Sequence, residues 1–130
     1  MGRRQRVNVY DQMDDMIEAA VLADGQKKVY VTNSTYESDE DDEPINNLDQ
    51  IAVEGKCVLV GFRDEFWGGE GSRSYRSPVL ENPTWLQVCV YANRMIRRTR
   101  DLHHVFLEGL ERKKKLTKEG IPRHEFLMGS

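Results

Sequence analysis

The side chains with the widest choice of chemistry are concentrated in residues 97–115, RRTRDLHHVFLEGLERKKK. On a helix, Asp101, His104 and Glu108 would share one face, and carboxylate and imidazole groups spaced in this way can bind a divalent metal ion. The same spacing also produces i,i+4 pairs, such as His104 with Glu108, that stabilise an exposed helix without any chemistry. No HExxH pattern supplies further ligands, so we prefer the charge ladder to a metal site.

A second candidate is the glycine-rich stretch FWGGEGSRSYR, residues 66–76. Glycines let backbone N–H groups approach an anion closely, Arg73 and Arg76 would neutralise it, and Trp67 offers a ring for stacking. Glu70 is the fourth residue of this candidate ligand-binding site. The stretch has neither the lysine of a phosphate-binding loop nor its strand-to-helix context, so a hairpin loop without a ligand is the preferred interpretation.

Basic residues form the third candidate. Residues 94–118 contain nine bases and three acids, which resembles an electrostatic footprint for a phosphate backbone. No recognised nucleic-acid-binding motif accompanies them, and the formal net charge of the chain is −3. Nucleic-acid binding through this segment is therefore an alternative rather than the first expectation.

Length and composition limit the class of protein. With 130 residues, of which 38% are hydrophobic, the chain has the size of a single domain. No apolar run approaches the roughly 20 residues of a membrane-spanning helix, and no apolar segment of a secretion signal follows the basic start. Cys57 and Cys89 lie in apolar stretches, which predicts buried, reduced thiols and a cytoplasmic protein.

The elements that would position these residues can be read from the apolar pattern. A flexible basic arm, residues 1–7, precedes a helix over 8–24, in which Val9, Met13 and Ala20 recur at helical spacing. Residues 27–80 read as a sheet of two to four strands, the clearest being the apolar run KCVLVGF from Lys56. An acidic loop at 37–43 and the glycine-rich loop at 67–72 interrupt this sheet.

The C-terminal third predicts one long helix over residues 83–116, beginning at the Asn82 cap, with a tail over 117–130. A helix of that length would reach roughly 50 Å, which is longer than a domain of this size is wide. Its far end would therefore project or pair with another chain. The residues expected at such an interface are Trp85, Met95, Leu102, His103, Phe106 and Leu110.

These patterns predict an α+β fold in which an N-terminal helix, a small antiparallel sheet and the long C-terminal helix pack in layers, with the helix on one face of the sheet. The preferred function is a protein-interaction or homodimerisation module without a cofactor. Two alternatives stay open: a small-molecule or anion-binding protein or enzyme that uses residues 67–76, and nucleic-acid binding through 94–118. No nucleophile triad can be read from the chain, so binding is preferred to catalysis.

Overall fold

In the part of the chain that the structure describes, the fold consists of two helices and a mixed β-sheet. The computed structural model describes residues 2–33, 47–63 and 73–129. Within them the elements follow the order α1 (Gly2–Ala23), β1 (Thr32–Asn33), β2 (Lys56–Arg63), β3 (Arg73–Arg76), β4 (Leu80–Glu81), α2 (Trp85–Thr99), β5 (Phe106–Arg112) and β6 (Arg123–Gly129). The acidic loop 37–43 and the glycine-rich loop 67–72 of the sequence prediction lie outside the described residues.

The sheet differs from the small antiparallel sheet that the sequence predicted. Its strands lie side by side in the order β1-β5-β6-β2-β3, and β4 pairs with the first residues of β2. β2 is antiparallel to β3 but parallel to β6, and β1 is parallel to β5. The antiparallel prediction is wrong because the C-terminal hairpin of β5 and β6 inserts between β1 and β2.

The prediction of one long C-terminal helix over residues 83–116 is also wrong. α2 contains 15 residues and ends at Thr99. Arg100 adopts the left-handed conformation with a φ of 59°, and its N–H donates to the Ile96 carbonyl oxygen over 2.7 Å, which closes the last turn. Arg63 donates from Nη1 to the carbonyl oxygens of Thr99 and Arg100 over 3.2 and 2.7 Å. These hydrogen bonds satisfy carbonyl groups that a continuing helix would have used.

The start of α2 is also shifted from the predicted cap. Thr84 is the N-cap: its hydroxyl accepts from the N–H of Gln87, and the Gln87 side chain accepts from the N–H of Thr84. Asn82 has a φ of 47° and accepts a 2.7 Å hydrogen bond from the N–H of Gly55. Asn82 therefore holds the loop before β2, and the capping box of Thr84 begins the helix.

Residues 101–129 form a turn and a hairpin in place of the predicted helix and tail. The predicted seam relied on Leu102, Phe106 and Leu110, and a spacing of four fits both the helical period and the alternation of a strand. In the structure Phe106 and Leu110 lie in β5, which pairs with β6 along its length and with β1 at its start. Gly109 further disfavours a helix here by about 1 kcal/mol.

The core lies between the helices and one face of the sheet. α2 packs on β2 and β3, while α1 packs on α2 and β1. The buried apolar side chains include Met13, Ile17 and Val21 of α1, Val88, Cys89, Ala92, Met95 and Ile96 of α2, and Cys57, Leu59, Leu107 and Phe126 of the sheet. Both cysteines are free and buried, as their apolar surroundings predicted, and burial raises the pKa of Cys89 to about 12.

The N-terminal segment differs from the predicted flexible arm. Helix α1 begins at Gly2, so residues 2–7 belong to the helix.

Among the described residues, no helix combines the length and the apolar character needed to cross a membrane.

Candidate functional site

β3 carries two of the four residues that the sequence placed around an anion. Arg73 and Arg76 begin and end this strand, whereas Trp67 and Glu70 lie outside the described residues. Side chains three positions apart in a strand point to opposite faces of the sheet. Accordingly, Arg73 lines a cavity beside α2 and Arg76 lines a different one on the other face. The two arginines therefore do not meet around one ligand.

Arg73 instead meets arginines from the end of α2. A cavity of about 540 Å³, which we call the arginine pocket, is lined by Asp24, Gly25, Gln26, Arg73, Arg94, Arg97, Arg98 and Arg100. These residues come from the turn after α1, the start of β3 and the end of α2. The structure thus joins one arginine of the glycine-rich stretch to the first part of the basic segment 94–118.

An acid holds one of these arginines. Asp24 accepts hydrogen bonds from Nε and Nη2 of Arg94 over 2.7 and 2.8 Å. The bidentate contact lowers the pKa of Asp24 and raises that of Arg94, because each ion stabilises the charged form of the other. Arg94 also lies 5.4 Å from the ring centroid of Tyr91. Arg94 is therefore fixed and matched in charge, so the pocket's excess positive charge among the described residues is carried by Arg97, Arg98 and Arg100.

Three arginines of the pocket are exposed to solvent: Arg97, Arg98 and Arg100. Arg97 and Arg98 lie three and four positions after Arg94, so the three share one face of α2. Within the part of the chain that the structure describes, no ion pair joins Arg97, Arg98 or Arg100 to an acid. Their guanidinium groups are thus available to an anion that enters the pocket.

A network of buried amides supports the pocket from the core side. Gln26 is 6% exposed and donates from Nε2 to Asp24 Oδ2 over 3.0 Å and to the Val90 carbonyl oxygen over 3.1 Å. Asn93 is fully buried and donates from Nδ2 to Gln26 Oε1 over 2.8 Å. This chain of hydrogen bonds runs from the core to Asp24, so the carboxylate that orients Arg94 is itself held in place.

The three predicted metal ligands do not meet at one site. Asp101 and His104 lie in the turn after α2, where His104 Nδ1 is 2.8 Å from Asp101 Oδ2. Glu108 lies in β5, where its carboxylate is beside Gly129. The described residues contain no group of three or more His, Cys, Asp and Glu side chains that could hold a metal ion. The shared helix face was the basis of the metal site, and the helix ends before Asp101.

The six residues predicted for an interface are distributed over separate elements. Met95 is buried in the core, and Trp85 lies partly buried at the start of α2. Leu102 and His103 are exposed in the turn after α2, while Phe106 and Leu110 are partly buried in β5. They do not form one seam, because that seam required a helix continuing to residue 110.

The sequence analysis missed Asp24 and Asn93, and it included Arg94 only as one of the bases of segment 94–118. One signal was present for Asn93: it lies four residues after Cys89 and three before Ile96, so a polar amide is placed on the apolar stripe of α2. Such a side chain must find hydrogen-bond partners when buried. Nothing in the local sequence indicates that Asp24, 70 positions away, would pair with Arg94.

Comparison of the chain with protein-family models, with curated proteins and with solved structures finds no match. The geometry alone defines the class: a helix-covered mixed sheet with an arginine-lined pocket at the end of its second helix.

Proposed function

We propose that this protein binds a phosphate-bearing anion in the arginine pocket. The observation that supports the proposal is the convergence of five arginines on one concavity with a single acid among the described lining residues, Asp24, which is already paired with Arg94. Arginine presents two parallel N–H donors that match the oxygens of a phosphate group. The described lining therefore favours an anion over a cation or a neutral ligand.

The size and shape of the pocket favour a small ligand. Its volume of about 540 Å³ lies in the range of about 300 to 1,000 Å³ that is usual for small-molecule sites. Arg97, Arg98 and Arg100 approach it from the last turn and the cap of α2, so more than one phosphate group can be contacted at once. A diphosphate is the simplest ligand with that charge.

Isothermal titration calorimetry with inorganic pyrophosphate tests the proposal. We expect saturable binding that weakens as sodium chloride is raised, because exposed ion pairs are screened by salt. Arg98→Glu should reduce the affinity about tenfold or more, since it replaces an attractive charge with a repulsive one. The matched control is Lys56→Glu. It makes the same change in charge at the first residue of β2, which does not line the arginine pocket.

Two results would contradict the proposal. One is the absence of pyrophosphate binding at millimolar concentration by a folded protein. The other is an equal loss of affinity in Arg98→Glu and Lys56→Glu, which would indicate a response to net charge rather than a site. Circular dichroism of each variant shows whether the fold is retained.

Self-association stays a prediction. We expected it from a helix longer than the domain is wide, but α2 ends at Thr99. Light scattering of the full chain at micromolar concentration tests it independently of anion binding.

A further inference from the structure

A second cavity lies on the face of the sheet opposite the helices, and its walls are partly apolar. Phe62 of β2 lines it and is 58% exposed, which is unusual for so large an apolar side chain. Leu116, 44% exposed, lines it from the connection between β5 and β6. We call this cavity, with a volume of about 500 Å³, the sheet-face groove. It does not depend on the arginine pocket.

The wall that carries Leu116 is held rigidly. The N–H of Lys113 donates to the Arg123 carbonyl oxygen over 2.9 Å at the base of the connection. Thr117 is 9% exposed: its N–H donates to the Ile121 carbonyl oxygen over 3.0 Å, and its hydroxyl accepts from the N–H of Ile121 over 3.0 Å. The connection is therefore a preorganised wall, and ordering it on ligand binding requires little further loss of entropy.

The groove is also basic. Four bases line it, Arg76, Lys115, Lys118 and Arg123, against one acid, Glu125. Glu125 is already paired with Lys113 over 3.2 Å, and Arg76 lies 4.0 Å from Glu119. No ion pair is recorded for Lys115, Lys118 or Arg123 within the described part of the chain. An apolar platform beside such bases suits a ligand that is flat at one end and anionic at the other.

We infer that the sheet-face groove binds a planar heterocyclic ring that carries a phosphate group, the chemistry of a nucleotide. The ring stacks on Phe62 and packs against Leu116, while Lys115, Lys118 and Arg123 contact the phosphate. Exposed aromatic rings beside basic side chains bind nucleotide bases with little dependence on which base is stacked. A free nucleotide and a unit of a single strand share this chemistry.

The ring contact is tested by titrating the protein with adenosine monophosphate, followed by calorimetry. Phe62→Leu keeps an apolar side chain but removes the aromatic face, and we expect affinity to fall between about fivefold and about a hundredfold. Phe62→Tyr should retain the affinity. The control is Val79→Ala, an apolar residue that is 50% exposed and does not line the groove. Because Phe62 is exposed, its replacement leaves the core intact.

The phosphate contact is tested with a second pair of probes, adenosine and inorganic phosphate. We expect each to bind at least about tenfold more weakly than adenosine monophosphate, because each makes only part of the contact. Lys118→Glu should weaken binding of the nucleotide but leave that of adenosine nearly unchanged. Lys56→Glu again provides the matched charge control.

Titration with a short single-stranded oligoadenylate distinguishes a free nucleotide from a nucleic-acid strand as the ligand. Tighter binding of the oligonucleotide than of the monophosphate, lost in Phe62→Leu, supports the groove with a strand as its ligand. Equal or weaker binding supports it with a free nucleotide. Adenosine monophosphate that fails to bind, or binds Phe62→Leu as well as the native protein, overturns the inference. So does binding that is abolished by Arg98→Glu alone, since the ligand would then occupy the arginine pocket.

Discussion

The side-chain amide of Asn93 donates a 2.8 Å hydrogen bond to the side-chain oxygen of Gln26, across 67 positions of sequence. The same amide donates to the Lys28 carbonyl oxygen over 2.9 Å, and Asn93 Oδ1 accepts from the N–H groups of Tyr30 and Val31 over 2.6 and 3.0 Å. One fully buried side chain therefore satisfies the backbone of the extended segment that leads from α1 to β1.

Asn93→Asp should destabilise the fold by about 3 kcal/mol or more. An aspartate keeps the oxygen that faces Tyr30 and Val31, but it turns a buried oxygen towards the Gln26 and Lys28 oxygens and adds a buried charge. Urea unfolding measures the change. The control is Asn47→Asp, because Asn47 is exposed and its side-chain oxygen, which aspartate retains, accepts from the N–H of Asp49. Equal shifts in the two variants would contradict the role of the Asn93 amide.

Arg100→Gly should separate stability from anion binding. Arg100 has a φ of 59°, which glycine adopts without the steric penalty of a side chain, so we expect the free energy of unfolding to rise by about 1 kcal/mol. Removing its guanidinium from the arginine pocket should at the same time weaken pyrophosphate binding. Arg100→Ala provides the comparison, since it loses the charge but keeps the strain. A glycine variant that binds pyrophosphate normally would exclude Arg100 from the site.

Gly61→Ala should destabilise the protein by about 1 to 3 kcal/mol through overpacking. A methyl group at Gly61 would overlap the buried Met95 side chain, and it would lie 3.5 Å from Phe126 Cδ2. Gly109→Ala is the matched control, because its methyl group would lie at an ordinary 3.8 Å from Leu127 Cδ1. Thermal unfolding compares them. A destabilisation of Gly109→Ala as large as that of Gly61→Ala would argue against close packing at β2.

His124 should make stability depend on pH. Burial lowers the pKa of its imidazole below 6.5, and the nearby charge of Arg112 lowers it further. The unfolded chain then binds more protons than the folded one between the folded pKa and 6.5, so stability should rise with pH through this window and level off above it. Unfolding free energies from about pH 5 to about pH 8 measure the slope.

The replacement His124→Gln should reduce that slope, because it removes the group whose pKa differs between the two states. His103→Gln is the control at an exposed histidine. A slope that survives in His124→Gln would assign the pH dependence to another group. The sign is also diagnostic, since a folded-state pKa raised above 6.5 would make stability fall with pH between 6.5 and that raised value.

The arginine pocket shows why only part of the site was predictable. The basic character of residues 97–100 and the anion-binding potential of Arg73 were both evident from residue type. Their meeting depends on where β3 lies relative to α2, and that is set by pairing between β2 and β3 and by packing of α2 on both strands. The predicted partner of Arg73 was Arg76, which strand alternation sends to the other face.

The sequence by itself determined the elements whose pattern admits one interpretation. The continuous apolar run from Lys56 specifies a buried strand, and the spacing of Met13 and Ile17 specifies a helix with one buried face. Residues 101–112 admit two interpretations, because apolar residues four apart suit a helix and a strand equally. Only the tertiary structure decided between them: hydrogen bonds from β6 and β1 satisfy the backbone of β5, and β1 lies far away along the chain.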